Sequence, residues 1–399
     1  MPKYFPLTVF LLFQIGCTGK NPAENLSGKT SLDYSLDTVV IDPGEELLFV
    51  AGRVYQSDLS PDRKYLYNYN QHDHSFEQID LDEKKLVRKL PFEKEGPDGT
   101  GDFFRSFFLL DNDHLVIISF PDPAVFEMSG KKLKELKFQE LITDSGKTDA
   151  RQAFLVAMGL PDQESQYLGF LRSFEAKSTE LMRVDLNEGS TQTISIPQFE
   201  NLKNFNMKFT DGKGLMVSGP QTYLIREGGK ILLGSNVRNE IYQYLPETDS
   251  LQVYTYTSQL TENEKTAPGV SEFDTQDGFL EAIRQVREEI SFSSPIWDEQ
   301  NRVYYRFSHK EVLEETNSEN FQWPSATGGE VFLTLFDENL NMLAETRIPD
   351  IRMPPQKHFV KDGTIWMFVN VEDEMGFARL SMDLGRRGSP SDGISVNDN

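Results

Sequence analysis

The sequence predicts an all-β chain that uses one four-stranded antiparallel unit six times, and three observations predict it. Short runs that alternate apolar and polar residues recur along the 399 residues, parted by tight turns rich in Asp, Asn and Gly. The runs fall into sets spaced by roughly fifty to seventy residues, the period of a propeller blade. The last set ends at GFARLSMDL (376–384) without a partner strand, while LDTVVID (36–42) near the start has no set of its own.

Taken in order, the first unit contains KYLYNYN (64–70), SFEQIDL (75–81) and KLVRKLPF (85–92). The second contains HLVIISF (114–120), AVFEM (124–128) and KLKELKF (132–138). The third has QYLGFLR (166–172), TELMRVDL (179–186) and TQTISIP (191–197). The fourth has KILLGSN (230–236), EIYQYLP (240–246) and LQVYTYT (251–257). The fifth has RVYYRFS (302–308), EVFLTLFD (330–337) and MLAETRIP (342–349). The sixth has TIWMFVN (364–370) and GFARLSMDL, and stops.

A further apolar stretch ending in a polar turn precedes most units, as in VYQSDLSPDR, FFLLDND, YLIREGG, PIWDEQN and HFVKDG. It supplies the innermost strand. In the fourth unit FTDGKGLMVS (209–218) competes for that role. An orphan strand at the start can complete the unfinished last unit, which would otherwise expose an edge. The expected architecture is therefore a six-bladed β-propeller of four-stranded antiparallel blades, closed by the N-terminal strand, with one helical insertion. A pair of β-sandwiches is the rival reading.

Composition narrows function. With 38% hydrophobic and 12% aromatic residues the chain can bury a sizeable core. A net charge of −23 would repel a phosphate backbone, so nucleic acid is not an expected partner. The opening MPKYFPLTVFLLFQIGC has a basic start, a short apolar run and Gly16 before Cys17, the sole cysteine. The run is too short to span a bilayer. With one thiol, no internal disulfide can support the fold. The expected organisation is a signal peptide over 1–16, a flexible tether over 17–34, one propeller domain over 35–384 and a disordered tail over 385–399.

Gly16-Cys17 is similar to the lipobox of bacterial lipoproteins, although Gln14 stands where leucine is usual. Together with EKEGPDGTGDF (93–103) after the first unit, this leader resembles the domain-of-unknown-function 4221 family of Gram-negative bacterial lipoproteins. The EGPDG segment (95–99) also resembles the Gly-Pro-Gly-Glu turn of other six-bladed propellers. The resemblance implies a propeller anchored to the cell envelope, in the outer membrane, through lipid on Cys17. It implies no catalytic residue.

Connection lengths suggest a working face. Hairpins from the first to the second strand and from the third to the fourth are short. The long excursions 92–103, 257–289 and 310–329 all fall at the other end, where binding sites gather on a rigid scaffold. Within 257–289, TQDGFLEAIRQVREEI (275–290) reads as a helix with Phe279, Ile283, Val286 and Ile290 on one face and Asp274 or Thr275 as cap. It can lie across the channel mouth or simply pack on neighbouring strands.

His72-Asp73-His74 places two imidazoles in a hairpin at the same end, with no third ligand in view. His114, His309 and His358 are scattered and read as structural. Glu93, Glu95, Asp98 and Asp102 cluster in a glycine-rich loop, without the alternating spacing of a calcium loop. The candidate binding-face residues are thus His72, His74, Glu95, Asp98 and Asp102, with Phe279 on the helix and Trp323 in the 310–329 excursion. No metal or other cofactor is expected. Two functions fit: a non-enzymatic binding or scaffold module taking a protein, peptide or glycan, and a propeller hydrolase or lyase using carboxylates at the channel mouth.

Overall fold

The computed structural model describes residues 26, 28–119, 122–144, 152–160, 163–173, 178–212, 214–314 and 322–385. The expected signal peptide, Cys17 and all but the first residue of the expected tail lie outside the described residues.

The recurring strand–turn pattern yields antiparallel sheets that follow one another along the chain. Ahead of them runs β1 (Tyr34–Val40). The first sheet is β2 (Ser57–Leu59), β3 (Tyr65–Asn70), β4 (Ser75–Asp80) and β5 (Lys85–Pro91). The second is β6 (Ser106–Leu109), β7 (His114–Ile118), β8 (Ala124–Glu127) and β9 (Lys132–Glu135). After a short helix α1 (Phe138–Asp144) come β10 (Gln152–Leu160), β11 (Gln163–Ser173), β12 (Ser178–Asp185) and β13 (Ser190–Ile194). Next, β14 (Met207–Thr210) and β15 (Leu215–Ser218) precede the fourth sheet. That sheet is β16 (Thr222–Glu227), β17 (Lys230–Ser235), β18 (Glu240–Leu245) and β19 (Ser250–Thr255). Then come β20 (Glu272–Phe273) and helix α2 (Gln276–Glu288).

In the fifth sheet, β21 (Ser291–Phe292) and β22 (Ile296–Asp298) both pair with β23 (Val303–Leu313), followed by β24 (Ala326–Phe336) and β25 (Met342–Arg347). The sixth has β26 (His358–Lys361), β27 (Thr364–Val371), β28 (Glu374–Met382) and, as its fourth member, β1. The orphan strand and the unfinished unit therefore do pair, antiparallel. The register places Val39 opposite Phe377 and Val40 opposite Gly376, while Leu36 faces Leu380.

Three expectations need correction. FTDGKGLMVS does not supply the inner hairpin of the fourth unit: β14 and β15 join β20 in a separate three-stranded sheet, leaving TYLIRE as inner strand β16. The helix at 276–288 is not the sole helical element. Helix α1 buries Phe138 and Ile142 beside the second and third sheets, and a 3₁₀ helix (Pro197–Phe205) buries Phe199, Leu202 and Phe205, whose three-residue spacing matches its period. The excursion at 310–329 is shorter than expected, because Lys310, Glu311 and Val312 continue β23 opposite Glu330, Gly329 and Gly328.

The core is divided among the junctions between sheets. One apolar cluster lies between each successive pair: first and second, second and third, third and fourth, fourth and fifth, fifth and sixth. Another joins sixth to first, with Phe359, Trp366 and Phe377 against Leu66 and Ile79. Each of these six sheets is thus covered on both faces, which explains the aromatic and β-branched density of its strands. The expected tether is shorter than 17–34: Leu26 and Leu32 are buried, and backbone bonds tie Gly28 and Lys29 to β25. Among the described residues no helix is long and apolar enough to cross a membrane.

Candidate ligand-binding cavity

The inner strands β16, β22 and β26 all run in from one end of the molecule, and the connections that lead into them enclose a cavity of about 800 Å³ there. This is the end at which long connections were expected to gather. Helix α2 forms one wall. Thr275 caps it, its Oγ1 accepting from the Gly278 N–H at 3.2 Å. Phe279, Leu280, Ala282 and Ile283 pack it onto Met207 and Phe209 of the three-stranded sheet. The helix therefore flanks the mouth.

Two imidazoles line this cavity from neighbouring sheets, His309 of β23 and His358 at the start of β26. Burial pushes each ring down to about 4, so both are neutral at physiological pH. His358 Nδ1 lies 3.0 Å from the Gln356 carbonyl oxygen. Lys265 is also buried, and burial lowers it to about 8. Its Nζ donates to the carbonyls of Val286 at 2.7 Å and Glu289 at 3.2 Å, at the electronegative end of α2. Arg287 grips Glu311 with Nε and Nη2 at 2.8 and 3.0 Å, which consumes the cavity's carboxylate.

Behind this wall Arg306 is 1% exposed. Its guanidinium lies over the rings of Tyr256, Phe292 and Phe336 at 5.1–5.3 Å and donates to Asn239 Oδ1. Nearby, burial pushes the Tyr223 hydroxyl up to about 12.

The residues singled out from sequence scatter around this feature. Trp323 lines the cavity, 44% exposed, with its ring 6.0 Å from that of Phe279. Phe279, expected on the binding face, is wholly buried, because the apolar stripe of α2 faces inward. His72 is exposed in the β3–β4 turn. His74 cannot join it as a ligand: it is buried, with Nδ1 2.6 Å from Tyr69 Oη and Nε2 2.7 Å from Thr100 Oγ1. Glu95 and Asp102 are exposed, and the Asp98 carboxylate accepts the Lys132 N–H at 2.9 Å, so this loop is fastened to the second sheet. Among the described residues no group of three or more His, Cys, Asp or Glu side chains is arranged to hold a metal ion.

His309, His358 and Lys265 were missed as site residues. Composition gives no signal for them. Strand polarity does, since HFVK begins an inner strand and RVYYRFSH ends a second strand, which brings both imidazoles to one end.

The family model of the domain of unknown function DUF4221 matches residues 25–347. A solved DUF4221 member from Bacteroides vulgatus is 13% identical with a TM-score of 0.66, covering 89% of this chain and 99% of that one. A candidate exported protein from Bacteroides fragilis is 12% identical with a TM-score of 0.53, covering 90% of this chain and 99% of that one. The β-propeller domain of Cps50 (Swd1) from Myceliophteria thermophila is more distant, at 8% identity and TM-score 0.37 over 88% of this chain and 100% of that one. No curated protein matches the chain. Such identities speak to fold and leave function to the site. By its family match, which spans most of its length, the chain belongs to the DUF4221 family.

Proposed function

We propose that this protein is a non-enzymatic binding module of the bacterial cell envelope, taking its ligand in the cavity at the mouth of a six-bladed propeller. The observation that carries the reading is the cavity itself. Its size is that of a small-molecule site, four sheets and a helix contribute to it, and polar groups converge on it. Closure into six blades is supported by the apolar cluster between the sixth and first sheets and by Lys357 Nζ, which donates to the Ser57 carbonyl at 2.8 Å.

A hydrolase or lyase would need free carboxylates at the mouth. Glu311 is committed to Arg287, and the carboxylates of Asp58 and Glu227 are hydrogen-bonded to other inner strands. The chemistry proposed is therefore recognition without a cofactor.

The leader supports a lipid anchor on Cys17, with the protein held at the outer membrane. Strand polarity supports one orientation: His358 starts β26 beside the cavity, so β1, antiparallel to β28, enters at Tyr34 from the opposite end. The cavity then faces away from the membrane.

The test loads the purified mature chain with envelope extract, washes it, denatures it and identifies released small molecules by mass spectrometry. A Ser294→Trp variant, which projects an indole into the cavity, should release far less of what the native chain releases. Equal release from both proteins would remove the cavity from the function.

A further inference from the structure

The ligand's chemical class can be read from the hydrogen-bonding needs of the cavity, an inference that rests on the binding reading above. A carbonyl only accepts, so the 3.0 Å contact to Gln356 places the hydrogen of His358 on Nδ1 and leaves a lone pair on Nε2. That Nε2 is buried and meets no hydrogen-bond partner among the described residues, and the same holds for His309 Nδ1. A buried polar atom left unmet is destabilising. The complement is a ligand that brings a hydrogen-bond donor to His358 and a group that can donate or accept to His309, whose tautomer no contact fixes.

Three donor classes compete. An ammonium group is disfavoured, because Arg53, Lys265 and Arg287 line the same cavity and its carboxylate, Glu311, is already ion-paired. Peptide N–H groups come with carbonyls in a fixed one-to-one alternation along an extended chain, whereas a hydroxyl donates and accepts at a single atom and so meets either ring. Hydroxyls fit better. Ser294, Ser325 and Gln221 line the wall, and such side chains both donate and accept, as hydroxyls do. At the rim Trp323 offers a partly exposed ring, an apolar plane suited to the C–H face of a pyranose.

We propose that the cavity binds a saccharide, with hydroxyls donating to His358 Nε2 and meeting His309 Nδ1 while one sugar face lies on Trp323. Its volume is ample for more than one ring.

The experiment titrates the full mature chain with maltotriose, cellotriose, chitotriose and mannotriose, and with the peptides Ala-Ala-Ala and Gly-Ser-Gly, followed by calorimetry and saturation-transfer NMR. At least one trisaccharide should bind. His358→Ala and Trp323→Ala should each weaken it tenfold or more, and His358→Gln, which retains an acceptor, should recover part of the loss. Trp323 is exposed enough that its variant should keep the native thermal midpoint, which separates lost binding from lost folding. Binding of a peptide and of no trisaccharide overturns the saccharide assignment while leaving the binding reading standing. Trisaccharide binding indifferent to both positions overturns it too. If none of the six probes binds, the assignment falls, and release from envelope extract still decides the broader reading on its own.

Discussion

Arg63 and Glu227, 164 residues apart in the chain, form a 2.9 Å ion pair where four inner strands meet. The same guanidinium donates through Nη1 to the carbonyls of Trp297 at 3.1 Å and Val360 at 2.6 Å. One side chain from the first sheet thus fastens the fourth, fifth and sixth. Burial raises the Glu227 carboxyl, with the attraction of Arg63 pulling the other way. Arg63→Ala should lower unfolding free energy in urea by about 2–4 kcal/mol, towards the lower figure because both side chains keep some solvent contact. Arg63→Lys should recover little, since a point charge cannot serve three acceptors held in a planar fork. A loss below about 0.5 kcal/mol would mean the sheets hold together without this fastening.

Closure through β1 makes a separate prediction. Removing residues 1–24 keeps the buried Leu26 and Leu32 and should leave the melting midpoint unchanged. Removing residues 1–41 strips β1 and the fully buried Ile41, and exposes β28 as a free edge. That truncation should melt lower and self-associate, as read by differential scanning calorimetry and light scattering. A monomer with the native midpoint would show that the last sheet does not need its fourth strand.

Strand order and the closing partner were legible because period-two patterning and turn chemistry are local signals. The pairing of 36–42 with 376–384 was visible as an imbalance between an orphan strand and an unfilled edge. Its register was not, since a two-residue slide along an alternating partner keeps the same face apolar. The cavity was legible as an end of the molecule and illegible as a set of residues. His309 and His358 lie 49 positions apart and meet only because two sheets pack side by side. His74 shows the reverse failure. It looks like a ligand beside His72, and the φ of 57° that places its ring between Tyr69 and Thr100 cannot be read from a turn sequence.

The two cavity imidazoles make stability depend on acid. Burial holds both near 4 in the folded chain, below the ordinary value of about 6.5 expected when unfolded. Between those values the unfolded chain binds more protons, so the folded state loses ground as pH falls. The contribution is intact above about pH 6.5 and is lost by about pH 4, at up to about 3 kcal/mol per ring. Asp58 and Glu227, raised by burial, act in the opposite sense, so the isolating comparison is a His309→Gln, His358→Gln double variant. Its unfolding free energy should fall less steeply than the native chain's between pH 6.5 and 4. Parallel slopes would place the acid sensitivity elsewhere.

His74 bridges two segments whose order sets the rim of the first sheet. Losing it should free Thr100 and the 93–103 loop together. His74→Asn tolerates the left-handed backbone and removes the ring contacts, so its cost reports the bridge: about 1–3 kcal/mol by thermal unfolding. Faster amide exchange at Gly101, whose N–H donates to the Lys94 carbonyl at 3.0 Å, should accompany it. Unchanged exchange there would mean the loop holds itself.

The β16–β17 turn separates backbone strain from packing at the Arg63 fastening point. Gly228 and Gly229 both have positive φ, 57° and 74°. A Cβ on Gly228 would fall 2.4 Å from Tyr304 Oη and 2.9 Å from the Trp297 ring, and neither buried side chain has room to retreat. A Cβ on Gly229 meets nothing within 4 Å. Gly229→Asn should therefore cost under about 1 kcal/mol, as Asn accepts that backbone. Gly228→Ala should cost about 2–4 kcal/mol, the strain plus the overlap. Because the overlap displaces Trp297, whose carbonyl Arg63 uses, combining Gly228→Ala with Arg63→Ala should cost less than the two single losses added. Strict additivity in urea unfolding would show that the turn and the ion pair act independently.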